Sequence, residues 1–120
     1  MTVISIDFQG SRSTQDLWIP GPASFLEGNN VIAYGDITGG DGKDDTDISP
    51  FVTAPGTWDY AYDPVSGATK GNYKAAIVNL FYMNHFLHDW WYDHDFDEQS
   101  YNAQFSNYGR GGVGGDPLVV

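Results

Sequence analysis

Asn72-Tyr73-Lys74-Ala75-Ala76-Ile77-Val78-Asn79-Leu80-Phe81-Tyr82-Met83-Asn84-His85-Phe86-Leu87-His88-Asp89-Trp90-Trp91-Tyr92 holds neither Gly nor Pro, in a chain of 120 residues with fifteen Gly and six Pro. Asn72 offers a side-chain oxygen to the unpaired N–H groups of a first helical turn, so a helix is expected to begin at Tyr73. At about 1.5 Å per residue the stretch spans roughly 31 Å, close to the diameter of a small domain. Its apolar members are Ala75, Ala76, Ile77, Val78, Leu80, Phe81, Met83, Phe86, Leu87, Trp90 and Trp91. They occupy most of the helical circumference rather than one stripe, which predicts a central helix surrounded by the rest of the chain.

Upstream, Gly10 to Gly71 is punctuated by Pro20-Gly21-Pro22, Gly28-Asn29-Asn30, Gly39-Gly40, Pro50, Pro55-Gly56 and Asp63-Pro64. Between these breakers only short strands fit, at Val31 to Tyr34 and Thr57 to Tyr62. Ile4, Ile6 and Phe8 alternate with Ser5 and Asp7, so Met1 to Phe8 reads as a further half-buried strand. Downstream of Glu98 the chain returns to Asn, Gly and Ser and closes on Leu118-Val119-Val120. That apolar ending reads as a strand cut off before its partners. The expected architecture is a single α+β unit over residues 1–120, loop-rich, with one long buried helix at about 72–92 and a few short β-strands.

Composition narrows the partners. Five Lys and Arg face sixteen Asp and Glu, a net charge of −11. Such a surface repels nucleic acid and anionic membranes. No stretch approaches the ~18 apolar residues of a membrane span, and Met1 to Gly10 lacks the basic start and apolar run of a secretory signal. Without Cys there is neither a disulfide framework nor thiolate chemistry.

Two clusters carry metal-ligand chemistry. On the helix, His85 and His88 lie three apart and Asp89 four from His85, so all three share a face. Two imidazoles and a carboxylate within one turn suit a divalent transition metal; the same residues suit buried side chains capping neighbouring loops, with Asp orienting His. The H-x-x-H-D spacing is not the H-E-x-x-H of zinc peptidases. The second cluster is Asp36, Asp41, Asp44, Asp45 and Asp47, with Lys43 the one cation among them. Carboxylates on a flexible loop suit Ca²⁺, and Asp36, Asp41, Asp45 and Asp47 are its candidate ligands, against the reading of a solvated acidic loop. Counting from Asp41, the glycine position of an EF-hand loop is held by Thr46, so that template is not met. Trp58, Tyr60 and Tyr62 either stack sugars or belong to the core. No Ser sits in a nucleophile elbow and no glycine run has phosphate-loop spacing.

The run Asn79-Leu80-Phe81-Tyr82-Met83-Asn84-His85-Phe86-Leu87-His88-Asp89, then Tyr92, then Phe96-Asp97-Glu98, resembles the fungalysin-type zinc metallopeptidases. Those carry an N-L-F-Y helix with N-x-x-x-H-D, a Tyr, and G-F-D-E about a turn later. Asn102, Gln104, Asn107-Tyr108-Gly109-Arg110-Gly111-Gly112 and Gly115-Asp116-Pro117 are similar to the family's next segments. Gly28-Asn29-Asn30-Val31 with Ala33-Tyr34 and Asp36 is similar to the G-N-N-V-x-A-Y-x-D of bacterial members. The likeness runs from about Gln15 to Val120. Departures fall on the loop after the helix: Asp95 and Tyr101 stand where the family favours Gly, and Ala103 where it favours Phe.

The resemblance implies the front part of a thermolysin-like amino lobe, from an extracellular enzyme that hydrolyses proteins with a zinc-activated water and a Glu base. The family's H-E-x-x-H helix, later Glu ligand and catalytic His have no counterpart in these residues, so no catalytic or zinc residue carries over, and His88 and Asp89 match positions used structurally. The implied partner is the remainder of the peptidase, or copies of this chain. Two other readings remain at this level: a stand-alone calcium-binding or interaction module on the same scaffold, and a small hydrolase with its own metal at His85 and His88.

Overall fold

The computed structural model describes residues 16–40 and 42–120. The expected strand at Met1 to Phe8 lies outside them. In chain order the elements are strand β1 (Val31–Ile32), helix α1 (Lys70–Tyr92), a 3₁₀ turn (Glu98–Ser100) and strand β2 (Leu118–Val119). This is the loop-rich α+β architecture expected.

α1 begins earlier than its most obvious capping residue. Thr69 is the N-cap, in extended conformation, and its hydroxyl accepts the Asn72 backbone N–H at 3.2 Å. Thr caps nearly as well as Asn, and Gly71 is tolerated in a first turn whose donors have no helical partner anyway. Asn72 is freed for another task. Its side chain accepts from the Asp63 N–H and donates to the Asp63 and Gly67 carbonyls, pinning the preceding loop to the helix.

The strands are shorter than expected. β1 ends after two residues, and the segment from Thr57 to Tyr62 forms no strand, keeping only an isolated bridge between Ala54 and Thr57. β1 pairs in parallel with β2, Val31 opposite Leu118 and Ile32 opposite Val119. The ladder is extended by Leu118 N–H to the Asn30 carbonyl, Val120 N–H to Ile32 and Tyr34 N–H to Val120. The apolar ending is therefore a strand, as expected, and it already has one partner.

Trp18, Leu26, Val31, Ala33, Ile48, Trp58, Ile77, Val78 and Phe81 form the core. It lies between one side of α1 and the irregular chain from Trp18 to Trp58. The helix is not enveloped, which corrects the expectation from its composition. Its buried residues are Asn72, held by the loop at Asp63, and Ile77, Val78, Phe81, His85, His88 and Asp89, which share one side. On the other, Leu80 is 41% exposed, Leu87 44%, Trp90 45% and Trp91 51%. The surrounding segments form a single layer, and one layer covers one face of a helix.

Candidate functional site

The buried side of α1 changes character along its length: Ile77, Val78 and Phe81 give way, one turn on, to His85, His88 and Asp89. Spacing placed these three on one face, and the fold brings that face against three loops. Trp18 donates its indole N–H to Asp89 Oδ2 at 2.8 Å. Asn30 donates through Nδ2 to His88 Nδ1 at 3.1 Å. Gln104 Nε2 reaches Asn30 Oδ1 at 3.5 Å. Asn29 holds residue 106 at both ends, accepting the Ser106 N–H at 2.9 Å and donating to the Ser106 carbonyl at 3.1 Å. Its own carbonyl accepts the Phe105 N–H at 2.7 Å. Buried polar groups are costly unless paired, so these bonds dictate how loops 28–30 and 102–106 sit on the helix.

A second knot closes the far end of the layer. Glu98 is buried, accepting the Tyr92 hydroxyl at 2.9 Å and Arg110 Nε at 2.5 Å. The Arg110 guanidinium also grips Asp16 and packs over the Tyr108 ring. Asp16 first, and Glu98 with it, hold the guanidinium charge more firmly than usual. The glycine run after Tyr108 is thereby tied to residue 16 and to the 3₁₀ turn.

The two imidazoles are not arranged for a metal. His85 donates through Nδ1 to the Phe81 carbonyl at 3.1 Å. A single methyl added at Gly28 would meet His85 Nε2 at 2.6 Å and the Trp18 carbonyl at 2.5 Å, so the loop at Gly28 closes tightly over that nitrogen. Burial holds the His85 imidazole down to about 4, against the upward pull of the Phe81 carbonyl and Asp89. His88 takes the Asn30 amide at Nδ1, which places its proton on Nε2 and leaves no lone pair free for coordination. Among the described residues no group of three or more His, Asp and Glu side chains is placed to hold a metal. The residues present do not fit zinc, and the layer acts as a structural seam.

Of the candidate calcium ligands, Asp41 lies outside the described residues. Asp36 and Asp45 are exposed. Asp47 accepts the Asp44 N–H at 2.8 Å, and Asp44 accepts the Thr46 N–H and hydroxyl at 2.6 and 2.5 Å. The Thr46 bonds hold the Asp44 carboxyl below its ordinary value. Lys43 pairs with Glu27 at 2.5 Å rather than with the Asp cluster. Trp58, Tyr60 and Tyr62 form no sugar platform: Trp58 is buried with its N–H on the Pro50 carbonyl, and Tyr60 donates to Phe51.

Reading by residue type missed two knots, one of Asn29, Asn30 and Gln104 around His88 and one of Glu98 and Arg110. Their signal was order along the chain rather than spacing, since they meet only through the tertiary fold. The same applies to the loop after α1. Asp95 and Tyr101, the two positions where Gly was expected, have φ of 67° and 62°. The loop keeps a left-handed backbone suited to Gly even where the side chains differ.

The class these residues define is a loop-rich α+β fold whose one helix is sealed to flanking loops through buried Asn, His, Asp and Glu. The chain belongs to the fungalysin metallopeptidase family, whose model matches residues 7–120. It is 31% identical over 123 residues to the extracellular metalloproteinase mep of Aspergillus flavus, covering 99% of this chain and 19% of that protein. It is 34% identical over 99 residues to extracellular metalloproteinase 4 of Trichophyton soudanense, covering 81% of this chain and 24% of that relative. With the probable extracellular metalloproteinase 5 of Trichophyton verrucosum it shares 31% identity over 98 residues, 78% of this chain and 14% of the relative. The chain thus spans less than a quarter of each of these relatives.

Proposed function

We propose that this chain is a non-catalytic amino-side portion of a secreted zinc endopeptidase, supplying the scaffold on which the rest of the enzyme cleaves proteins. The observation that carries this reading is the family match over residues 7–120 in a sequence with no H-E-x-x-H. Secretion is supported by the relatives' names, which describe extracellular enzymes, and no helix among the described residues is long and apolar enough to cross a membrane. In the intact enzyme zinc would supply an activated water, held by residues outside this chain. The chain's own contribution is to hold α1 and its loops in one geometry through the Asn30–His88, Trp18–Asp89 and Arg110–Glu98 bonds.

Incubating the purified chain with Zn²⁺ and a protein substrate tests the reading. No cleavage is expected, while the Aspergillus flavus relative under the same conditions cleaves. Zinc-dependent turnover by the chain alone would contradict it.

A stand-alone calcium-binding module is the second reading, drawing on five carboxylates between residues 36 and 47. It requires a melting temperature that rises in millimolar Ca²⁺ and no longer does so once Asp41, Asp45 and Asp47 are changed to Asn.

A further inference from the structure

We infer that the exposed apolar side of α1 is a docking surface for the part of a fungalysin peptidase that lies outside the stretch matched here. The inference rests on the peptidase reading above. Leu80, Met83, Leu87, Trp90 and Trp91 are each between 41% and 51% exposed. They recur along the helix at the intervals that place side chains on one face. The stacked pair Tyr82 and Phe86, ring centroids 6.5 Å apart, flanks them. From Ala75 to His88 the helix has no Asp, Glu, Lys or Arg, although the chain carries a net charge of −11. Charge is kept off this surface as far as His88, and at its far end His94 packs on Trp90 with Asp93 and Asp95 exposed just beyond. A contiguous apolar patch of this kind on a small protein marks an interaction site, and an uncharged one fits a neutral, aliphatic or aromatic counterface.

Two observations select the occupant. A second copy would bring together two chains of −11 each, whose overall repulsion opposes association. Each relative described above devotes at least three quarters of its length to residues beyond the matched stretch, so a counterface can lie within the same polypeptide.

The chain has no Cys, so a single introduced thiol reports on this face alone. Leu87→Cys is placed in the isolated chain and in a chimera in which this chain replaces the matched segment of the Aspergillus flavus relative. Val65→Cys, at a position 91% exposed and outside the helix, is the reference, and a chimera without the added thiol gives the background. Maleimide should label Leu87→Cys readily in the isolated chain and on the order of 100-fold more slowly in the chimera, where reaction waits on local opening. Val65→Cys should label equally in both. Equal labelling of Leu87→Cys in the two settings overturns the inference. So does slow labelling in the isolated chain accompanied by a dimer mass in sedimentation, which would give the face to a second copy. If the chimera does not accumulate, the relative's remaining segment is added as a separate polypeptide, and a thiol left unprotected there overturns it equally. Peptidase activity of the chimera is scored separately. A protected thiol without activity sinks the functional reading and spares the docking; activity with an unprotected thiol does the reverse.

Discussion

Trp18 and Asp89, 71 positions apart, meet through a buried 2.8 Å bond from the indole N–H to the carboxylate. It fastens the start of the described chain to the last turns of α1, beside the edge-to-face contact of Trp18 with Tyr82. Trp18→Phe keeps most of the ring and loses the donor. Hydrogen bonds to charged groups contribute about 1.5–3 kcal/mol, and urea unfolding should show a loss of that size. A loss below about 0.5 kcal/mol would mean the bond is immaterial.

Tyr101 should be better replaced by Gly. Its φ of 62° costs a non-glycine residue roughly 1–2 kcal/mol, and its ring, 67% exposed, contributes little packing. After allowing for the greater freedom of Gly in the unfolded chain, Tyr101→Gly should gain about 0.5–1 kcal/mol. Asp95→Gly should gain less, because Asp visits this region more readily. Destabilisation by Tyr101→Gly in a urea titration would contradict the argument.

Gly28 and Gly21 should separate cleanly. At Gly28 an added methyl lies 2.5 Å from the Trp18 carbonyl and 2.6 Å from His85 Nε2, whereas at Gly21 it meets nothing within 4 Å. Gly28→Ala should cost about 1–3 kcal/mol, or more if the backbone cannot shift. Gly21→Ala should stay within about 0.5 kcal/mol of the parent. Melting temperatures of the two variants decide it.

Acid should weaken the fold through His85. Burial holds its folded pKa at about 4, below the ordinary 6.5, so the unfolded state binds the proton more readily. The stabilisation from the neutral ring is fully present above pH 6.5, falls between pH 6.5 and about 4, and is gone below. The drop is about 3 kcal/mol at most. Urea midpoints across this range should fall with pH, and the His85 ring proton shift should titrate near the lower value. Titration near 6.5 in the folded protein would refute the assignment.

Arg110 should resist conservative replacement. Its fork serves Asp16 and Glu98 together, and Glu98 is buried. Arg110→Met leaves that carboxylate with Tyr92 as its remaining described partner and should cost about 1.5–3 kcal/mol. Arg110→Lys should recover less than half, since a single ammonium cannot bridge both carboxylates with a planar fork. Full recovery by Lys, read from denaturant midpoints, would show that charge alone suffices.

The helix was legible in the sequence because Gly and Pro are missing from it and apolar residues fill it. Its environment was not. Leu80, Met83, Leu87, Trp90 and Trp91 are as apolar as Ile77, Val78 and Phe81, and composition cannot say which set this chain covers. The cap was misplaced for a local reason: Thr69 and Asn72 both suit the position, and the choice depends on the loop at Asp63 that Asn72 must hold. The short strands were overextended because apolar residues at Thr57 to Tyr62 lack a neighbouring strand to pair with. At the site, the shared face of His85, His88 and Asp89 followed from helical spacing. That they bind loops rather than a metal followed from Asn30, Trp18 and Gly28, which arrive from far along the chain.

β1 pairs with β2, so the sheet brings Val31 and Ile32 together with Leu118 and Val119. In synthesis α1 is made before Leu118, the residue that Val31 pairs with. The helix can coil within microseconds, while the ladder awaits a long loop closure. During that interval the chain from Trp18 to Trp58 can already cover one side of the helix, while its edge at Val31 and Ile32 still awaits β2.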